Sequence, residues 1–177
     1  MRYTSLSWAT IPRQPIVDTN LLFDFLLWRF SDSLQIPSLL SELSYLRTRH
    51  YKVSLQWYFR IALPVTTCPE VIAEIHGHAK RKCRGRLGQF WRFAKTELGE
   101  LGLNEELIPV GVMDTDLLAN LGPTDAALVH LSSLHKTEKR PILTEDSKLA
   151  GLCRSRELSA IMTMSDVLSM WQEHGSK

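Results

Sequence analysis

Pro15-Ile-Val-Asp18, followed at once by Leu21-Leu-Phe-Asp-Phe-Leu-Leu-Trp-Arg-Phe30, is the stretch on which the fold turns. A short apolar segment ending at a carboxylate reads as a buried strand, and the run behind it is apolar enough for a largely buried helix. A strand feeding directly into a helix opens a βαβ unit, and such units build parallel sheets covered by helices. Working outward, the same alternation recurs. Ile36-Pro37 ends the first helix, and a second helical stretch runs from Ser38 to about Ala62, with a break expected near His50 to Lys52. Pro64-Val-Thr-Thr67 predicts a strand, and Cys68-Pro-Glu-Val-Ile-Ala-Glu-Ile75 opens a helix, with proline suited to its first turn and Thr67 and Glu70 spaced as a capping box. Gly85 and Gly88 are expected to interrupt the helix that would otherwise continue. Ile108-Pro-Val-Gly-Val-Met113 is a candidate strand, Asp116 to Leu121 a short helix, and Gly122-Pro-Thr-Asp125 starts a helix that reaches Leu134, with Thr124 as its cap. Pro141-Ile-Leu-Thr144 is a strand leading into Glu145-Asp146, and Leu158 to Thr163 is a last strand before a helix near Ser165. The expected architecture is α/β: one domain over residues 1–177, a central parallel sheet of four to five strands flanked by helices, and helical elaborations around 31–62 and 76–106.

The chain has 177 residues, 44% hydrophobic and 23% charged, which excludes disorder and suits a single packed domain. Its net charge of +2 conceals an asymmetry: 14 basic and 6 acidic residues precede position 96, while 7 and 13 follow it. Such a division is a cue for an acidic site beside a basic surface. The first residues lack an apolar core of signal-peptide length, and the most apolar stretch is interrupted by Asp24 and Arg29, so no membrane span is expected. Cys68, Cys83 and Cys153 are odd in number and without CxxC spacing, which indicates neither a disulfide framework nor a zinc site and favours the cytoplasm.

Four acids fall at one kind of place. Asp18 follows the first strand, Glu74 lies one turn inside the helix after the second, Asp125 opens the Gly-Pro-Thr-Asp helix, and Asp146 follows Ile142-Leu-Thr144. In open α/β sheets, sites are built in the crevice beyond the carboxyl ends of the strands. Carboxylates gathered there repel one another unless protonated or neutralised, and hard divalent cations such as Mg²⁺ or Mn²⁺ prefer all-oxygen surroundings. Each acid also has a plainer role. Asp125 and Asp146 stand where acids cap helices or complement the helix dipole, and Glu70 belongs to the capping box. Asp114 and Asp116 are read as caps, with Asp116 held in reserve for Asp125. Asp18, directly after Pro-Ile-Val, is the hardest to explain without a partner or cation.

At these residues the chain resembles the PIN-domain nucleases. The matching elements are Ile16-Val-Asp-Thr-Asn20, Thr67-Cys-Pro-Glu-Val-Ile-Ala-Glu74, Gly122-Pro-Thr-Asp-Ala-Ala-Leu-Val129 and Ile142-Leu-Thr-Glu-Asp146 with Leu149, in that family's order across about 130 residues. The resemblance implies a PIN-like, three-layer α/β/α fold and a metal-dependent endonuclease, usually a single-stranded endoribonuclease. Its acidic residues would be Asp18, Glu74, Asp125 and Asp146. One or two Mg²⁺ or Mn²⁺ ions would be held by Asp18, Asp125 and Asp146, with Glu74 bound through water or orienting the nucleophile. Thr19, Asn20 and Thr144 would hydrogen-bond the ligands or their waters. Many small members of the family are toxins of toxin and antitoxin pairs, which would add a protein antitoxin as partner. The extra length at 31–62 and 76–106 departs from a minimal toxin. Stable-RNA processing, a DNA-directed nuclease on the same fold, and a non-catalytic RNA-binding module are the alternatives.

Residues 76–95 carry Lys80, Arg81, Lys82, Arg84, Arg86, Arg92 and Lys95 and no acid. The first five are candidate contacts to an RNA backbone. Trp91 and Phe93 are read as core or subunit interface rather than stacking platforms, and His76 and His78 as surface or phosphate-facing residues. Surplus apolar surface in 21–63 would suit a homodimer.

Overall fold

The computed structural model describes residues 14–43, 51–52, 55–56, 59–60, 63–134, 140–158 and 161–162. Much of the expected helical stretch after Ser38, and the helix expected near Ser165, lie outside the described residues. The sheet has five parallel strands, β1 (Ile16–Val17), β2 (Thr66–Thr67), β3 (Asn104–Glu105), β4 (Ile142–Leu143) and β5 (Ile161–Met162), in the order β3-β2-β1-β4-β5. The chain therefore builds outward from β1 on one side and then crosses to its other side at β4. That reversal leaves a crevice between the carboxyl ends of β1 and β4, where an open α/β sheet accommodates its ligands.

Helix α1 (Thr19–Leu34) runs directly out of β1. Leu21, Leu22, Leu26 and Leu27 are fully buried, and Phe23, Phe25, Trp28 and Phe30 nearly so, so apolar contact surrounds most of the helix. It ends at Gln35, which takes a left-handed conformation (φ 55°), and the chain then enters a 3₁₀ turn at Pro37–Leu40. Pro37 cannot extend the helix and disfavours helical geometry in Ile36. Further helices are α2 (Pro69–Lys82), α3 (Leu87–Glu100), α4 (Thr115–Leu121), α5 (Pro123–Leu134) and α6 (Ser147–Ser155). Phe90 of α3 meets Phe30 edge-on with centroids 5.5 Å apart, and Phe59 packs on Phe25 at 4.6 Å. The Arg29 guanidinium grips the buried Glu97 carboxylate through two bonds of 3.0 Å, tying α1 to α3.

Several local expectations are corrected. The third strand is Asn104–Glu105, and Val110–Val112 forms a 3₁₀ turn with Val110 and Val112 exposed. An edge strand needs only one partner and little burial, so polar residues serve there, whereas Pro109 and Gly111 spoil the apolar run for pairing. Thr67 makes no capping box: α2 starts after Cys68 with no side-chain cap, and the Thr67 hydroxyl donates to the Val17 carbonyl at 3.0 Å. The chain breaks between α2 and α3 at Gly85 (φ 74°), while Gly88 lies inside α3. Trp91 and Phe93 pack against the core.

Candidate active site

Asp18 is the last residue before α1 and is 3% exposed. Its backbone N–H donates to the Leu143 carbonyl at 3.1 Å, so the β1–β4 ladder fixes where its carboxylate emerges. One carboxylate oxygen accepts from the Thr19 amide at 2.5 Å and the other from the Thr144 hydroxyl at 2.6 Å. Thr144 in turn accepts from the Asp146 amide at 2.9 Å, and Asp146 caps α6 by accepting from the amides of Lys148 and Leu149. The β4 end thus positions two of the four acids through one hydroxyl.

Glu74 reaches the crevice from α2. Its two oxygens accept from the Thr19 hydroxyl at 2.7 Å and the Thr124 hydroxyl at 2.6 Å, linking α2 to the starts of α1 and α5. Thr124 is therefore not the cap expected of it. With Pro123 as the first residue of α5, Thr124 falls inside the first turn and its hydroxyl is directed to Glu74. Asp125 follows in that turn and, among the described residues, accepts no hydrogen bond. Glu70, one turn before Glu74, does not line the crevice, and Asp114 caps α4 and pairs with Arg156.

Asp18, Glu74, Asp125 and Asp146, with Thr19 and Asn20, line one cavity of about 180 Å³. Three helices, α1, α5 and α6, start at its wall, and the partial positive charge of their first turns offsets part of the negative charge. The remainder appears in the acidities. Burial, and then the charges of Asp18, Asp146 and Glu74, push Asp125 up to about 7. Burial also raises Asp18, against the hydrogen bonds from Thr144 and Thr19. Asp125 thus holds a proton over part of the physiological range, in a cavity whose excess charge a cation would neutralise.

The donor chemistry suits a hard divalent ion. Every candidate ligand is a carboxylate oxygen, and an oxygen engaged by one hydroxyl or amide keeps a lone pair for coordination. Among the described residues, no three His, Cys, Asp or Glu side chains stand close enough to hold a metal as they are. Asp18 and Glu74 are hydrogen-bonded to Thr144, Thr19 and Thr124, and Asp146 to the amides of α6.

The basic run divides. Arg81, Lys82 and Arg84 line a separate cavity of about 480 Å³ against the 3₁₀ turn, with Ser38, Ser41 and Glu42. Lys80, in the last turn of α2, and Arg86, at the start of α3, do not line it. His76 accepts from the Trp91 indole at 3.2 Å, and His78 lies against Phe23 with ring centroids 5.3 Å apart. Burial, with Arg81 nearby, lowers the His78 pKa. Among the described residues no helix is long and apolar enough to cross a membrane. Comparison of the chain with protein-family models, with curated proteins and with solved structures finds no match, which leaves the geometry of this site as the guide to function.

Proposed function

We propose that the chain is a metal-dependent endonuclease that hydrolyses phosphodiester bonds, with single-stranded RNA as its substrate. The observation that carries this reading is the meeting of Asp18, Glu74, Asp125 and Asp146 at one cavity at the carboxyl ends of β1 and β4, with Asp125 pushed up to about 7. Asp18, Asp125 and Asp146 would hold one or two Mg²⁺ or Mn²⁺ ions. Bound there, a divalent ion supplies positive charge to a scissile phosphate and activation of water. Thr144 and the Thr19 amide hold Asp18 at the cavity, and its carboxylate would turn from them to meet an ion. Glu74, held by Thr19 and Thr124, would bind an ion through water or orient the nucleophile. Asp125 is the group that gives up a proton as the site loads. A pure binding module gains nothing from acids that must be neutralised, which favours an enzyme. A toxin role within this class predicts growth arrest on expression, relieved by the product of a small adjacent reading frame.

Purified protein is expected to cleave single-stranded RNA with Mg²⁺ or Mn²⁺ and to stop with EDTA. Asp18→Asn is expected to abolish cleavage while the protein stays folded, because Asn can still accept from the Thr19 amide and donate to Thr144. Undiminished cleavage by that variant would place the chemistry elsewhere on the molecule. Metal-independent RNA binding by a folded protein that cleaves no nucleic acid would favour a binding module.

A further inference from the structure

Glu74 and Arg81 are seven residues apart on α2, which places them on one face about 10 Å apart along the axis, with His78 between them. The face that begins at the carboxylate cavity therefore ends at the groove lined by Arg81, Lys82 and Arg84 on one side and by Ser38 of the 3₁₀ turn and Ser41 just after it on the other. Resting on the nuclease reading, we propose that this groove is a second phosphate subsite, which holds the backbone of the same RNA strand away from the scissile bond.

Three cations and two hydroxyls facing one cavity match the charge and acceptor chemistry of a phosphodiester. Basic residues in the last turn of α2 complement its dipole, which accounts for Arg81 and Lys82 but not for Arg84, which lies beyond the helix and lines the same groove. At about 3.4 Å per stacked nucleotide, 10 Å corresponds to roughly three nucleotides, and fewer in an extended strand. The site thus favours substrates long enough to fill both cavities. One acid intrudes. Glu42, on the groove wall and with its side chain 76% exposed, pairs with Lys82. A strand entering the groove takes Lys82 from Glu42, so the ion pair acts as a competitor for the phosphate.

The test measures binding of labelled oligouridylates, a dimer with one phosphate and an octamer, across a salt series, with every protein carrying Asp18→Asn to prevent cleavage. The octamer is expected to bind more tightly than the dimer. Arg81→Gln with Arg84→Gln should flatten that gain and reduce the salt slope by about 0.7 for each phosphate left without its arginine. Glu42→Gln should tighten octamer binding. An unchanged slope in the double arginine variant, or no tightening in Glu42→Gln, overturns the proposal. Inorganic phosphate that displaces the octamer as well as unlabelled octamer does would mark a free-phosphate site and overturn it too. The two readings separate: cleavage by the parent protein with an unchanged slope leaves the nuclease and removes the groove. A groove-dependent slope in a protein that cleaves no RNA does the reverse.

Discussion

Replacing Asp125 with Asn should stabilise the metal-free protein at neutral pH, although it removes one of the four acids that line the cavity. Asp125 rises from an ordinary 3.8 to about 7 because burial and three neighbouring carboxylates disfavour its charge. Between about pH 4 and pH 7 the folded protein therefore holds more protons than the unfolded chain, and stability falls as pH rises through that window. At about 1.4 kcal/mol per pH unit, the rise caps the cost at about 4 kcal/mol above pH 7. Partial solvent screening reduces the expected gain in Asp125→Asn to about 1–2 kcal/mol. For a chain of this length that is a rise in Tm of about 3–6 °C. Urea denaturation at pH 4, 5.5 and 7 in EDTA should show the parent losing more stability with pH than the variant, the curves meeting toward pH 4. Adding Mg²⁺ or Mn²⁺ should reverse the order, since the ion stabilises the parent by mass action and the variant little. Metal affinity of the parent should climb up to about pH 7 and level off above it, as Asp125 loses its proton. Parallel stability profiles for the two proteins in EDTA would refute the claim that the four carboxylates repel one another in the folded state.

Thr144→Val should cost about 1–3 kcal/mol, because Asp18 loses a donor and the Asp146 amide loses its acceptor; Asp18 should titrate still higher, which carboxyl NMR can follow. Arg29→Met should destabilise by about 1–3 kcal/mol by leaving Glu97 unpaired in a largely buried position, and Glu97→Met in the same chain should recover part of that loss in a denaturation cycle.

The parts of the fold that could be foreseen are those where burial and local chemistry agree. Pro15 to Phe30 marks a strand and a buried helix because both are apolar on nearly all sides, and Ile142-Leu143 before the capping Asp146 is legible for the same reason. The third strand escapes such a reading because Asn104 and Glu105 sit at an exposed edge, where nothing forces an apolar pattern. The four acids can be placed near strand and helix ends from spacing alone. Their convergence needs the strand order, since only the adjacency of β1 and β4 brings Asp18 beside Thr144. The part played by Thr124 is hidden by its fit to a cap. Its partner Glu74 lies 50 residues away, and the available clue is Pro123, which moves the start of α5 ahead of Thr124. The basic run reads as one patch because charge composition does not record which side of a helix each residue occupies.

The hydrogen bond from Thr144 to Asp18 spans 126 positions of the chain, and those of Glu74 to Thr19 and Thr124 span 55 and 50. No stretch of local sequence can assemble this centre by itself. During synthesis Asp18 emerges before β4 and must wait for that strand before it acquires its second donor and Asp146 joins the cavity. Until β4 docks against β1, the four acids do not share a cavity, so the centre is assembled by long-range docking rather than by local folding.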